Sequence, residues 1–227
     1  MQLVHTIFEP AGDGPHPTIL ALHGWGANAQ DLLGLAPYLA GGRFLVICPQ
    51  GPLEVPLGPH AVGYGWFPLT MGRPPDIPAI VSARDKLRAF LDSALERYPI
   101  DRKKLVALGF SQGGVMAYGL ALAEPERFAG VAVLSSWLPK ELVSVLTQGD
   151  SKPLPPILVQ HGSLDELIEI GRARDSIETL RGLKAQVAYH EYDMAHEISP
   201  KSLADLTAWL EEKILSPLIV APYGAAS

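Results

Sequence analysis

The sequence predicts an α/β protein with a mostly parallel central sheet and helices on both faces. Two observations carry this prediction. Short apolar runs alternate along the chain with longer stretches of helical periodicity, and four of the six runs are nearly all apolar, as strands covered on both faces must be. Because parallel strands are joined by crossover connections, this alternation indicates a parallel sheet.

The individual elements follow from periodicity and from capping residues. The predicted strands are Thr18–His23, Phe44–Cys48, Lys104–Phe110, Gly130–Leu134, Ile157–His161 and Ala185–Tyr192. The predicted helices are Pro78–Tyr98, Ile170–Leu183 and Pro200–Leu215, with Ser199 as the N-cap of the last. The segment Gln50–Ile77 is rich in proline and glycine and is predicted to be a long loop, either packed on the surface or forming a flap beside a cleft.

Length and composition narrow the class of protein. A chain of 227 residues suits a single domain over residues 1–227. Its net charge of −6 and the absence of a basic run argue against nucleic acid as a partner. One cysteine excludes an internal disulfide framework. The first ten residues have no basic flank and no long apolar stretch, so no signal peptide is expected. No apolar run is long enough to span a membrane, and a cytoplasmic protein is therefore expected.

A serine nucleophile is predicted at the end of the third strand. The run Gly109-Phe110-Ser111-Gln112-Gly113 matches the G-x-S-x-G pattern between a strand and a helix. A strand that turns at once into a helix exposes the Ser111 hydroxyl at a helix N-terminus, which favours a negative oxygen. Glycines are needed on either side because side chains there would collide with neighbouring backbone. The alternative is a tight turn with a capping serine.

A base and an acid should follow in the order serine, acid, histidine. His196 lies on a short loop after the last strand, where the base is expected, whereas His190 lies within that strand and His161 is expected to hydrogen-bond within its own turn. Asp165 is the first carboxylate after the preceding strand, and its role would be to orient His196. Asp193 is the alternative acid.

The negative oxygen of a tetrahedral intermediate needs hydrogen-bond donors. One candidate is the backbone amide of Gln112, directly after the serine. The other is the amide of Trp25 in the glycine-rich turn that follows the first strand. An ordinary glycine turn is the alternative reading of that segment.

The substrate site is expected to be an open, shallow cleft. Only about twenty residues separate the fourth and fifth strands, which leaves no room for a cap domain. Six apolar residues on loops near strand ends could contact an acyl chain: Trp66, Phe67, Leu69, Trp137, Leu138 and Leu164. The chain has no H-E-x-x-H sequence and no phosphate-binding loop, so no metal or cofactor is expected.

Four segments together resemble the phospholipase/carboxylesterase family. They are Ala21–Gly26 (ALHGWG), Gly109–Gly114 (GFSQGG), His161–Asp165 (HGSLD) and Met194–Ser199 (MAHEIS). The resemblance implies an α/β-hydrolase fold, hydrolysis of carboxylic esters or thioesters without a cofactor, the same catalytic residues and the same two oxyanion amides. It also admits a homodimer. The chain departs from the family after Asp165, where the family tends to have Val-Pro.

These observations predict a serine carboxylesterase that hydrolyses short- to medium-chain esters through an acyl-enzyme. Its partner would be a small-molecule acyl ester. The alternatives are a thioesterase or lysophospholipase that uses the same residues, and a non-catalytic binding protein on a hydrolase scaffold.

Overall fold

A seven-stranded sheet lies at the centre of the protein. The structure is a computed structural model that describes residues 3–69, 73–147 and 152–216. The strands are β1 (His5–Phe8), β2 (His16–Leu22), β3 (Leu45–Pro49), β4 (Leu53–Gly58), β5 (Ala61–Gly65), β6 (Ile100–Phe110), β7 (Gly130–Leu134), β8 (Ile157–Gly162) and β9 (Val187–Tyr192). The α-helices are α1 (Ile77–Arg97), α2 (Gln112–Ala123), α3 (Lys140–Leu146), α4 (Ile170–Gly182) and α5 (Pro200–Leu210), and a π-helical turn, Glu211–Leu215, continues α5.

The sheet has the order β1-β3-β2-β6-β7-β8-β9, and only β1 runs antiparallel to its neighbour. The predicted parallel sheet is confirmed, and all six predicted strands are present within a few residues of their expected ends. The sequence did not predict the edge strand β1 or the short helix α3. Both are short, so they contain too few residues to establish a period.

Two hydrophobic cores cover the two faces of the sheet. Alternate residues of each central strand point to opposite faces, so Leu105 and Ala107 join one core while Val106 and Leu108 join the other. Helices α1, α2, α3 and α4 contribute apolar side chains to the first core, and α5 contributes Trp209 to the second. The prediction of helices on both faces is therefore confirmed.

The predicted loop over residues 50–77 is wrong in part. Strands β4 and β5 form a separate antiparallel hairpin within it, although residues 70–72 lie outside the described part. The hairpin is joined to the turn after β2, because Gly26 donates to the carbonyl of Tyr64 and Tyr64 donates to that of Ala27, both at 2.8 Å. The sequence shows no alternating pattern here, because Pro56 interrupts β4 and most residues of the hairpin are exposed.

The register of the central strands aligns their carboxyl ends. Phe110 of β6 lies opposite Leu134 of β7, and Leu134 lies opposite Gln160 of β8. The segments that follow these strands therefore emerge side by side at one edge of the sheet, where α/β proteins bind their ligands.

Candidate active site

Ser111 occupies a strained turn between β6 and α2. Its backbone has φ 53° and ψ −119°, a conformation that a residue with a side chain rarely adopts. Three hydrogen bonds hold the turn. Ser111 N donates to Leu134 O at 2.9 Å, and Ser111 O accepts from Gly114 N at 2.9 Å and from Ser136 Oγ at 2.6 Å. The backbone of Ser111 is thus held at the N-terminus of α2.

Close backbone contacts explain the glycines on either side of Ser111. A β-carbon at Gly109 would lie 2.2 Å from Gly113 O, and one at Gly113 would lie 1.9 Å from Leu22 O. No side chain fits at these distances. The sequence-based expectation that both positions require glycine is confirmed, and the contact with Leu22 also holds the end of β2 against α2.

Asp165 and His196 form a hydrogen bond across two loops. His196 Nδ1 lies 2.7 Å from Asp165 Oδ2, and the carboxylate side chain is fully buried. Because a carboxylate only accepts, Nδ1 carries the proton and the lone pair of the imidazole is on Nε2. Oδ1 of Asp165 accepts from the backbone amides of Leu167 and Ile168 at 3.0 and 2.8 Å. The carboxylate therefore has hydrogen-bond donors on both oxygens.

The two loops that carry Asp165 and His196 contact each other through their backbones. Leu164 N donates to Met194 O at 3.1 Å. A β-carbon at Gly162 would lie 2.2 Å from Met194 O and 2.4 Å from the carbonyl oxygen of Ala195. The approach of the histidine loop to the acid loop therefore requires glycine at position 162.

A second histidine contacts the same carboxylate. His161 is fully buried, and its Nε2 donates to Ile168 O at 2.7 Å while lying 3.4 Å from Asp165 Oδ2. The expected hydrogen bond within the turn is thus confirmed. Burial lowers the pKa of His161, against the attraction of Asp165, so the neutral ring is favoured. Sequence reasoning did not predict that His161 would also face the acid.

Within the described residues, no hydrogen bond joins Ser111 Oγ to His196. The imidazole ring centroid lies 4.9 Å from that of Phe110, the residue before Ser111. Nucleophile–base hydrogen bonds are commonly long without substrate and shorten in the Michaelis complex. The structure therefore joins the acid to the histidine and brings the histidine to the segment of the serine.

The turn after β2 lies directly beside the serine. A β-carbon at Gly24 would lie 3.3 Å from Cβ of Ser111. Among the residues that the structure describes, the backbone N–H groups of Trp25 and Gln112 donate to no other group. Both predicted oxyanion donors are therefore free.

The side chain of Gln112 has a role that the sequence analysis missed. It is fully buried, with Oε1 accepting from Trp66 N and Nε2 donating to Phe67 O, both at 2.7 Å. This pair of bonds fastens the segment after β5 to the first turn of α2. The signal in the sequence was a glutamine at the start of an otherwise almost wholly apolar helix.

His23 connects the oxyanion turn to the same segment. Its Nδ1 donates to Gly24 O at 2.7 Å, its Nε2 accepts from Gly51 N at 2.9 Å, and its carbonyl accepts from Trp66 Nε1 at 2.9 Å. Burial lowers the pKa of His23, and the acceptor role of Nε2 requires the neutral ring.

The six predicted substrate-contacting residues divide into two groups. Four have buried side chains in the main core: Trp66, Phe67, Trp137 and Leu138. They present little surface to a ligand in this conformation, because their side chains are buried in that core. Leu69 and Leu164 are 41% and 59% exposed. Leu167, 75% exposed in the acid loop, is an apolar residue that the sequence analysis did not single out.

Two further findings concern metals and membranes. In the ranges 3–69, 73–147 and 152–216, no three His, Cys, Asp or Glu side chains are grouped as a metal site would require. None of the helices in these ranges combines the length and the apolarity needed to cross a bilayer.

Comparisons with known proteins agree with this geometry. The family model described as Phospholipase/Carboxylesterase matches residues 5–214. Acyl-protein thioesterase 1 of Mycosarcoma maydis is 27% identical over 90% of this chain and 94% of that protein. The crystal structure of esterase PE8 superposes with a TM-score of 0.82 at 25% identity, covering 94% of this chain and all of that one. The Bacillus cereus carboxylesterase has the same fold, with a TM-score of 0.76 at 21% identity over 92% of this chain and 93% of that chain.

The mostly parallel sheet, the strained serine turn and these neighbours define an α/β-hydrolase. The chain belongs to the phospholipase/carboxylesterase family, and it is therefore a hydrolase of the esterase and acyl-protein thioesterase group.

Replacing Gly162 by alanine should separate the acid and histidine loops. We expect Gly162→Ala to lower kcat/KM by about 10- to 100-fold, because a displacement near 1 Å misaligns a catalytic histidine. Overpacking should also cost about 1–3 kcal/mol of folding stability. Ester hydrolysis and thermal unfolding measure the two effects. Gly182→Ala is the control, since nothing lies within 4 Å of a β-carbon there. Wild-type activity in Gly162→Ala would contradict the role of this contact.

Acid should destabilise the protein through its buried histidines. The pKa values of His23 and His161 are lowered in the folded state, so below about pH 6.5 the unfolded chain binds more protons than the folded protein. The free energy of unfolding therefore decreases as the pH is lowered. We expect the Tm to fall between pH 7 and pH 5. His23→Gln keeps a donor and an acceptor but does not titrate, so its Tm should depend less on pH. An equal pH dependence in His23→Gln would exclude His23 as a cause.

Proposed function

We propose that the protein is a serine carboxylesterase that hydrolyses short- to medium-chain carboxylic esters through an acyl-enzyme. The observation that carries this proposal is the 2.7 Å hydrogen bond between Asp165 and His196, formed beside the strained turn of Ser111. Family membership supports ester chemistry, and the arrangement of these residues supports serine as the nucleophile.

In the first half of the reaction, Ser111 Oγ attacks the ester carbonyl and His196 Nε2 accepts the hydroxyl proton. Asp165 remains ionised, holds the Nδ1–H tautomer and stabilises the imidazolium that forms. The negative oxygen of the tetrahedral intermediate accepts hydrogen bonds from the amides of Trp25 and Gln112. The imidazolium then returns its proton to the alcohol oxygen, which leaves.

The second half of the reaction repeats these roles with water. His196 takes a proton from water as the water oxygen attacks the acyl carbon, and the same two amides stabilise the new oxyanion. Collapse of this intermediate breaks the bond to Ser111 Oγ, which recovers the proton from His196. The carboxylic acid is released and the enzyme is regenerated without any cofactor.

The acyl chain is proposed to lie on the exposed apolar side chains around this edge. Leu164 and Leu167 flank Asp165 in the acid loop, and Leu69 follows the segment held by Gln112. Leu57 of the hairpin comes within 3.3 Å of a β-carbon at Gly26, so it borders the oxyanion turn. An open surface of this kind can contact a short or medium acyl chain, whereas a long acyl chain would need a deep pocket to enclose it.

Ser111→Ala should abolish catalysis while leaving the fold intact. We expect kcat on 4-nitrophenyl butyrate to fall by about 10⁴-fold or more and labelling by a fluorophosphonate to disappear. Ser144→Ala is the control, because that hydroxyl is exposed on α3 and, among the described residues, bonds to Glu141 O alone. Fluorophosphonate labelling that persists in Ser111→Ala would place the nucleophile elsewhere.

A thioesterase is the second candidate, favoured by the similarity to a protein named acyl-protein thioesterase 1. Matched oxygen and sulfur esters of octanoic acid separate the two activities. We expect the higher kcat/KM on the oxygen ester, with both activities lost in Ser111→Ala. A tenfold preference for the sulfur ester would make the protein a thioesterase, and acyl esters of glycerophosphate test the lysophospholipase alternative in the same assay.

The cytoplasmic location and the possibility of a homodimer remain predictions from the sequence. The buried thiol of Cys48, whose pKa burial raises to about 12, is consistent with an inert structural cysteine. Fractionation of cells and light scattering on the purified protein test the location and the oligomeric state.

A further inference from the structure

We propose that Arg172 selects ester substrates that carry an anionic group, a carboxylate or a phosphate, in addition to the scissile ester. The inference rests on the proposed esterase function and adds a substrate class to it. The Arg172 guanidinium carbon lies 4.3 Å from the ring centroid of Trp137, so the cation stacks on the indole face.

The stack lies at the same edge of the sheet as the candidate catalytic residues. Trp137 follows β7 and comes directly after Ser136, whose hydroxyl donates to Ser111 O at 2.6 Å. Arg172 lies in the first turn of α4, which follows β8 and the loop of Asp165. The amide of Leu138 donates to Ser176 Oγ at 2.8 Å, and this bond holds α4 against the segment after β7.

The charge of Arg172 has no carboxylate partner among the described residues. Partial burial lowers the pKa of Arg172, and the attraction of Glu169 opposes this shift without an ion pair between the two side chains. By contrast, Arg174 on the same helix pairs with Glu191, and Arg127 pairs with Asp92. Arg172 is exposed, so its guanidinium is accessible to an anion from solution, which could accept two parallel hydrogen bonds from it.

The indole of Trp137 adds a second unused donor to the stack. Its Nε1–H is buried and has no hydrogen-bond partner within the described ranges, although buried donors are normally satisfied. The unpaired cation and the unsatisfied N–H belong to two residues that touch each other. The indole face holds the guanidinium in place, and the exposed N–H groups of Arg172 can donate to an anionic oxygen ligand.

A pair of esters that differ only in charge tests this proposal. Mono-4-nitrophenyl adipate carries a free carboxylate, and its methyl ester is neutral. We expect wild-type kcat/KM to favour the anionic ester, and Arg172→Met to lower kcat/KM at least tenfold for the anionic ester but less than twofold for the neutral one. Arg172→Lys, which keeps the charge, should retain part of the preference. Equal losses on both esters, or no preference in the wild type, would overturn the proposal.

Arg97→Met is the matched control. Arg97 also stacks on an aromatic ring, that of Tyr98 at 5.4 Å, but it lies at the C-terminus of α1, at the opposite edge of the sheet. This variant should keep the wild-type ratio of the two activities. An acyl ester of glycerol phosphate, compared with the matching ester of glycerol, shows whether the anion is recognised on the alcohol rather than on the acyl side.

A binding measurement separates this proposal from the esterase proposal. Monomethyl adipate is titrated calorimetrically into Ser111→Ala with and without Arg172→Met. Binding that depends on Arg172 supports the anion site even if the ester assay fails, and such a failure would then count against the esterase proposal alone. Equal affinity in both proteins, or binding in neither, would overturn the anion site.

Discussion

The in-register ending of three parallel strands is the constraint on which the candidate active site depends. Phe110, Leu134 and Gln160 lie opposite one another, so the residues that follow them emerge in one row. Each strand end then supplies a different group. The segment after β6 carries Ser111, the segment after β7 supports it through Ser136, and the segment after β8 carries the acid.

Backbone contacts between the loops hold these segments in fixed positions relative to one another. Gly162 admits the carbonyls of Met194 and Ala195, and Gly113 admits the carbonyl of Leu22. A backbone contact has no side-chain rotamer to vary, so each loop is positioned by the main chain of its neighbour. The side chain of Gln112 extends the same principle to the segment after β5, because both of its polar atoms bond to main-chain groups.

Most polar groups at this edge have hydrogen-bond partners and are either neutral or ion-paired. His23 and His161 are buried with tautomers fixed by backbone partners, and Asp165 accepts from three donors. The unpaired guanidinium of Arg172 departs from this pattern, as do three buried atoms without a partner: Nε1 of Trp137, Oε1 of Gln160 and Nδ1 of His161. Of these groups, Arg172 is the one that faces solvent, so it is the one that an anionic ligand can reach.

The sequence by itself determined the alternation of strands and helices, the turn at Ser111 and the order in which acid and histidine follow it. These features are local, since periodicity, glycine spacing and capping residues act over a few neighbouring positions. The hairpin β4–β5, the clamp by Gln112, the second histidine on Asp165 and the burial of Trp66 and Phe67 were decided only by the tertiary structure. Each depends on contacts between residues far apart in the chain, which form only when the loops pack together. Such contacts leave no periodic pattern in the sequence.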